Sequence, residues 1–220
     1  MDLTYYGHSC FGLTSGGKTI ATDPFNDDIG HPKPKLAPDA VTISHEHFDH
    51  NNVGLLQGSP KVIRGLADEG KEWARIDTRV DGVHITGVGT TYHDDQEGKA
   101  RGKSTVMIFE AEGLRVVHLG DLGHLLSDEQ ARAIGTPDIL MIPVGGYYTI
   151  GPAEADKVIA QLKPGVIIPM HFKMKANESW PIGTLDDYLR GKTAKRPGAK
   201  VTVTKSSLPN TQEIWALLPA

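Results

Sequence analysis

The sequence predicts an α/β protein built from two similar halves, each contributing a β-sheet with helices on its outer face, the two sheets burying against one another. Two observations predict it. The segments CFGLTSGGKTIATDPF and VMIFEAEGLRVVHLGDLG share one order of strand, glycine turn, strand, and an aspartate at the second strand's end: Asp23 in one, Asp121 in the other. This is a weak internal duplication, not a short-period solenoid. Helical patterns then follow strand patterns along the chain, so strands and helices mix in both halves.

The elements follow from local chemistry. β-Branched and aromatic runs bounded by glycine give strands over Leu3–Tyr6, Cys10–Thr14 and Lys18–Thr22, with Ser15-Gly16-Gly17 as a turn. Val41–Ser44 is a short apolar run between Pro38-Asp39 and a polar cluster, which suits a buried strand. Thr105–Glu110 and Arg115–Leu119 form a second hairpin, and Ile139–Val144 a second short apolar run. Helices are expected over Ser127–Ile134, where Ser127 and Gln130 make a capping box, and over Pro152–Leu162. Asn26–Asp39 and Asn177–Pro197 are the least regular segments and are candidate walls for a substrate pocket.

At 220 residues the chain has the length of a single domain over 1–220, and 39% hydrophobic with 23% charged residues is an ordinary globular balance. A formal net charge of −4 offers no broad basic field, which argues against nucleic acid as a partner. The basic stretch from Arg190 to Arg196 is interrupted by Gly191 and followed by Pro197, and reads as a solvated helix end and loop. Cys10 is the only cysteine, which excludes a disulfide framework and a multi-thiolate zinc site. Neither a signal peptide nor a membrane span of ~18 apolar residues is present, so a cytoplasmic protein is expected. A small molecule is the expected partner, with assembly into a homo-oligomer left open.

Residues 45–50 read HEHFDH, three histidines and one aspartate directly after a strand. Imidazole nitrogen and carboxylate oxygen suit zinc, manganese or iron, and a tight loop can aim alternate side chains at two neighbouring positions. A helical HExxH zincin motif is excluded, because Asp49 stands where its second histidine would be.

This HxHxDH pattern resembles the signature of the metallo-β-lactamase superfamily, whose fold is a four-layer αββα sandwich. The resemblance implies that His45 and His47 are ligands of a first metal, and Asp49 and His50 of a second. It extends to His93 in TTYHDD as a third first-site histidine, Asp121 in HLGDLG as the bridging aspartate, and His171 in IIPMHF as the last second-site ligand. GHSCF, TDPF, GDLG, IPVGG with YYTIG, and IPMHF further resemble small bacterial metal-dependent hydrolases related to phosphorylated ascorbate lactonases. Two divalent metal ions are thereby implied, zinc first, with manganese or iron as alternatives. Without a cysteine near a second-site position, and with HxHxDH in place of HxHxD, antibiotic hydrolysis is disfavoured. His47 stands where flavodiiron proteins carry a glutamate, which disfavours a redox diiron role.

Other polar residues invite weighing. His8, in a glycine-flanked turn, is a candidate for substrate contact without holding metal, the alternative being a turn histidine bonded to backbone. Asp23 could orient a liganding histidine or merely close a turn before Pro24. His118 fits a satisfied buried group, while His31, His84 and His124 are read as surface or loop residues. Gly145-Gly146 could bring backbone N–H groups to an anionic substrate and Tyr147 or Tyr148 could donate a hydrogen bond; a tight turn with packing aromatics is the alternative. The expected reaction is attack by a metal-bridging hydroxide on an ester, lactone or phosphodiester, with Asp49 fixing the hydroxide and taking up a proton. A mononuclear iron dioxygenase of the same fold and a non-catalytic metal-binding module are the alternatives.

Overall fold

A computed structural model of the chain describes residues 1–91 and 102–220; His93 lies outside the described residues. Among the described residues, sixteen strands and three α-helices are formed. The first strands are β1 (Asp2–Gly7), β2 (Cys10–Ser15), β3 (Lys18–Thr22), β4 (Ala40–Ile43) and β5 (Lys61–Arg64), followed by the short β6 (Leu66–Ala67) and β7 (Glu72–Trp73). Next come β8 (Asp77–Val80), β9 (Val83–Thr91), β10 (Lys103–Ala111), β11 (Leu114–His118), α1 (Asp128–Ile134), β12 (Ile139–Pro143), α2 (Pro152–Leu162) and β13 (Val166–Met170). The chain ends with α3 (Leu185–Leu189), β14 (Ala194–Lys195), β15 (Lys200–Thr202) and β16 (Glu213–Trp215).

Two large sheets result, one ordered β15-β1-β2-β3-β4-β5 and the other β14-β16-β13-β12-β11-β10-β9-β8. The duplication expected from the sequence is present in the pairing itself. In the first half β1/β2 and β2/β3 are antiparallel while β3/β4 and β4/β5 are parallel. In the second half β9/β10 and β10/β11 are antiparallel while β11/β12 and β12/β13 are parallel. Both β2–β3 and β10–β11 turn through two left-handed residues, Gly16-Gly17 and Glu112-Gly113, the geometry that matches strand twist in a two-residue hairpin.

Alternation along the strands builds the layers. Leu3, Tyr5, Phe11, Leu13, Ile20 and Ala40 of the first sheet pack in one buried cluster with Ile85, Phe109, Val117 and Leu140 of the second. That cluster continues beneath α2, whose buried Ala155, Val158, Ile159 and Leu162 follow the spacing of one helical face. The other face of the first sheet carries Ala21, Val41 and Ile43, covered by Leu36 and Leu56 from loops. Every residue of β4 is therefore buried, as expected for a strand covered on both faces.

The covering differs from expectation in one respect. The three α-helices among the described residues all come from beyond residue 127, and the described part of the first half has only short 3₁₀ turns. Pro32, Pro34 and Pro38 break the β3–β4 connection, and Asn51, Asn52, Gly54, Gly58 and Pro60 break the one after β4, so neither can sustain a helix. Ser127 and Gln130 do form the expected capping box, and Pro152 opens α2 as expected.

Candidate metal centre

The parallel strands of both sheets end at one edge, and the chemistry-bearing residues stand there, where α/β sheets ordinarily place their ligands. Asp23 follows β3, His45 to His50 follow β4, Asp121 follows β11, Gly145 to Tyr148 follow β12 and His171 follows β13. His8 and Ser9 form the tip of the β1–β2 hairpin at the same edge, with Gly7 paired to Cys10. His8, Asp23, Tyr147 and His171 all adopt positive φ, at 53°, 37°, 63° and 51°. Such strain in non-glycine residues persists only where surrounding structure enforces it, and it gathers at functional sites. Here a hydrogen bond from the His171 N–H to the His8 carbonyl, at 2.9 Å, ties two of these residues together.

Asp121 is the centre of the cluster and is 1% exposed. Its Oδ1 lies 3.1 Å from His50 Nε2, and its Oδ2 lies 3.6 Å from His45 Nε2 and 3.4 Å from His171 Nε2. Asp49 Oδ2 faces His50 Nε2 at 3.5 Å and His171 Nε2 at 3.9 Å, and accepts a hydrogen bond from His8 Nε2 at 3.0 Å. His47 joins through its ring, 4.6 Å from that of His45. His8, Asp49, His50 and His171 each bring a ligand atom within 4.8 Å of the others, and so do Asp23, His45 and His50.

The outer nitrogens of these rings are fixed from behind. His50 Nδ1 donates to Asp23 Oδ2 at 2.9 Å, and Ser44 Oγ bridges Asp23 Oδ2, at 2.5 Å, to His45 Nδ1, at 2.9 Å. Asp23 Oδ1 accepts from the Ser44 N–H at 2.8 Å, so this carboxylate is fully occupied with orienting its neighbours. His118 is buried and satisfied: Nε2 donates to the Ser9 carbonyl at 2.9 Å and Nδ1 accepts from the Gly120 N–H at 3.1 Å, immediately before Asp121.

What remains inside is a set of buried polar atoms without hydrogen-bond partners, among them Asp121 Oδ1, His50 Nε2 and His171 Nε2. Leaving such atoms unpaired is costly, and imidazole nitrogens facing carboxylate oxygens form the donor set of a divalent metal. The donors fit such an ion. The electrostatics agree: His50 is raised well above its usual range, because Asp121 and Asp49 outweigh the burial that would lower it. Asp49 and Asp121 are both held below the usual carboxylate range, burial being outweighed by His50 and His8 for Asp49 and by His171 and His50 for Asp121. Burial and the neighbouring His171 lower His8 to about 4, and burial with His50 lowers His45 to about 3.

Above the cluster opens a cleft of about 530 Å³ lined by Glu46, His47, Phe48, Asp49, Tyr148 and Trp180. Of the two segments expected as walls, the second supplies Trp180. The first buttresses it from below, where Gly30 approaches the Ala176 carbonyl so closely that a Cβ would lie 2.9 Å away. His8 is fully buried and is not among the lining residues; it meets Asp49. Gly145 serves close packing, since a Cβ there would lie 2.3 Å from the His171 carbonyl, and the Gly146 N–H is engaged by the Ile150 carbonyl at 3.2 Å. Sequence reasoning did not single out Ser44, Phe48 or Trp180. Ser44, beside HEHFDH, carries the one local signal, a hydroxyl next to a candidate ligand. His31, read as surface, is 7% exposed and packs its ring on Phe25; its neighbour Gly7 leaves the room.

A family profile for the beta-lactamase superfamily domain matches residues 2–171, and the chain belongs to that superfamily. Its fold is accordingly the αββα sandwich of the metallo-β-lactamase type. A UPF0173 metal-dependent hydrolase from Methanoculleus marisnigri is 31% identical over 187 residues, 78% of this chain and 81% of that one. Another, from Archaeoglobus fulgidus, is 27% identical over 230 residues, 93% of this chain and 96% of that one. A Thermotoga maritima crystal structure, described as a candidate zinc-dependent hydrolase of the metallo-β-lactamase superfamily, has a TM-score of 0.79 and 36% identity over 99% of this chain and 98% of that one. Among the described residues, no helix is long and apolar enough to cross a membrane.

Proposed function

We propose that this protein is a metal-dependent hydrolase that holds two divalent metal ions and cleaves an ester, lactone or phosphodiester of a small molecule in the cytoplasm. The observation that carries the reading is Asp121, one of whose carboxylate oxygens faces His50 while the other faces His45 and His171. A single carboxylate reaching two sets of imidazoles suits a bridge. In this reading His45, His47 and His93 hold the first ion, Asp49, His50 and His171 hold the second, and Asp121 is shared. Zinc fits the donors, as do manganese and iron.

Such a pair of ions, when bound, lowers the pKa of a shared water toward neutrality and polarises the substrate oxygen. The chain's residues supply the rest. Asp23 and Ser44 fix the ring planes of His50 and His45, so that both Nε2 atoms point inward. Asp49 orients the attacking water and takes up its proton. His8 holds the Asp49 carboxylate at 3.0 Å, so its route to the substrate runs through that residue. Tyr148, lining the cleft beside His47, is placed to donate a hydrogen bond to the substrate. No serine or cysteine nucleophile is required, and Cys10 is fully buried. Residues 1–220 act as one domain, since both sheets furnish the site.

Metal analysis of the purified protein, with turnover of an ester, lactone and phosphodiester panel measured with and without chelator, tests the reading. The expected result is close to two metals per chain and turnover abolished by chelator. One iron per chain after reconstitution, with oxygen consumed in the presence of a persulfide, replaces the reading with the dioxygenase. Two metals with no turnover on any class replaces it with the metal-binding module.

A further inference from the structure

We infer that the substrate enters this site behind a flat, uncharged apolar group, and that Phe48, Tyr148 and Trp180 form the slot that receives it; this deepens the hydrolase reading and rests on it. The cleft has two parts. His47 and Asp49 belong to the metal cluster at its floor, while three of the other four lining residues are aromatic. Their rings are linked edge to face: Phe48 to Trp180 at 6.2 Å and 63°, Trp180 to Tyr148 at 6.0 Å and 75°. Tyr147 extends the row, 4.7 Å from Tyr148 at 80°.

These rings are held open at a cost. Phe48 is 52% exposed and Tyr147 57% exposed, in a chain only 6% aromatic. The Phe48 backbone is held between His47 and Asp49, its carbonyl accepting the Asn26 N–H at 3.1 Å. Trp180 is set from the opposite side by the Asn177 carbonyl, which accepts its N–H at 3.0 Å, and the Asn177 side chain in turn accepts the Met174 N–H at 2.7 Å. An apolar group placed between these walls removes rigid aromatic surface from water without reorganising the chain, which is the favourable case for binding.

Charge selects against the alternative. The acidic lining residues are two carboxylates, Glu46 and Asp49, and no lysine or arginine is among the described residues that line the cleft. Arg64, which meets the lining residue Glu46, spends one nitrogen on both of its carboxylate oxygens, at 2.6 and 2.7 Å. Among the described residues lining the cleft, a phosphate carried away from the reacting centre meets carboxylates in place of the Arg or Lys donors that recognise it elsewhere.

The experiment uses the metal-loaded protein and two probes that bypass turnover. Binding of 1-naphthylacetamide is followed by isothermal titration calorimetry, and glucose 6-phosphate is tested as a competitor after the metals are saturated with inorganic phosphate. The amide is expected to bind with saturation and to weaken roughly tenfold in Phe48→Ala and in Trp180→Ala, with Trp180→Phe restoring most of it, at unchanged metal content. Phe48 is half exposed, so its truncation spares the fold even where Trp180→Ala does not. Dihydrocoumarin and δ-valerolactone, the same lactone ring with and without a fused benzene, then give the kinetic readout: their kcat/KM ratio should fall roughly tenfold in Phe48→Ala through KM. Glucose 6-phosphate displacing the amide, or Phe48→Ala binding it as tightly as the wild type, overturns the inference. If neither lactone is hydrolysed but the amide binds as described, the slot stands and lactone cleavage is what fails.

Discussion

Asp23 and Asp121 occupy equivalent places in the two halves, each just after the last strand of an antiparallel triplet whose next neighbour is parallel, yet their surroundings differ. Asp23 spends both oxygens on Ser44 and His50. Asp121 leaves Oδ1 without a hydrogen bond and turns both oxygens toward imidazole nitrogens. The repeated framework thus places a buried carboxylate on each side of the HEHFDH loop, and the local partners decide its role. A hydroxyl at Ser44 and the Nδ1 edge of His50 convert the first into an orienting group. Nε2 edges convert the second into a candidate ligand. The same division holds after β4 and β12: one connection is dense in imidazole, the other in glycine and tyrosine that shape the cleft.

The largest effect that can break this comparison comes from removing each carboxylate in turn. Asp121→Ala is expected to lose both metals and all turnover, as measured by metal content after dialysis. Asp23→Ala is expected to keep close to two metals at saturation but to bind them about 10–100-fold more weakly by chelator competition, the usual consequence of releasing a ligand's outer hydrogen bond. His171→Ala should empty mainly one site. Equal losses from Asp23→Ala and Asp121→Ala would make the two carboxylates the same kind of residue and end the distinction.

A smaller effect probes the packing beneath the second half's ligands. A Cβ on Gly145 would lie 2.3 Å from the His171 carbonyl, and the Gly145 carbonyl also accepts the Gly183 N–H at 2.6 Å. Gly145→Ala must therefore move the His171 backbone, already at φ 51°. A stability loss of about 1–3 kcal/mol is expected from chemical denaturation, together with weaker binding of one of the two metals. Gly16→Ala, at the tip of the first half's hairpin with open space around it, should leave metal binding untouched although its φ of 58° adds strain. Metal loss in the hairpin variant and none in Gly145→Ala would reverse this assignment.

Much of the candidate centre was legible because metal donors are polar residues standing where a sequence otherwise turns from apolar strand to loop. HEHFDH, HLGDLG and IPMHF each follow such a strand, and the duplication was readable from two glycine turns and two aspartates. Asp23 stayed open in the sequence between orienting a histidine and closing a turn, and its hydrogen bonds to Ser44 and His50 are what distinguish the two. The aromatic slot was not, because Phe48, Tyr148 and Trp180 carry the side chains of core residues and only the fold reveals that Phe48 is half exposed. β9 was blurred by Gly87 and Gly89, which weaken a strand pattern; a Cβ at 89 would lie 2.8 Å from the Trp73 ring, and one at 87 would lie 3.0 Å from the Ile76 side chain. The missing helices of the first half follow from prolines whose effect on a whole covering layer is a property of the sheet beneath, where Leu36 and Leu56 suffice to bury Ala21, Val41 and Ile43. His93, matched only by resemblance, lies outside the described residues.

The smallest effect sharpens the remaining difference between the halves, their outer layers. The β11–β12 connection carries α1, whereas the β3–β4 connection that matches it carries four prolines and no α-helix. In α1 the Gln130 N–H donates to Ser127 Oγ at 3.1 Å and the Ser127 N–H donates to Gln130 Oε1 at 3.0 Å, while Gln130 Nε2 also donates to the Gly89 carbonyl of β9 at 2.9 Å. Ser127→Ala removes one end-of-helix bond from an exposed position and should cost about 1 kcal/mol, a fall of roughly 2–4 °C in Tm for a chain of this size. Gln130→Ala should cost more, because it severs the helix from β9 as well as the cap. Neither should change metal content, since the bonds of this cap stay within α1 and run to β9, whereas the site is built from strand ends. If Ser127→Ala lowered metal occupancy at a temperature where the protein stays folded, the helical layer would be part of the centre, and the two halves would differ in function where they now differ only in cover.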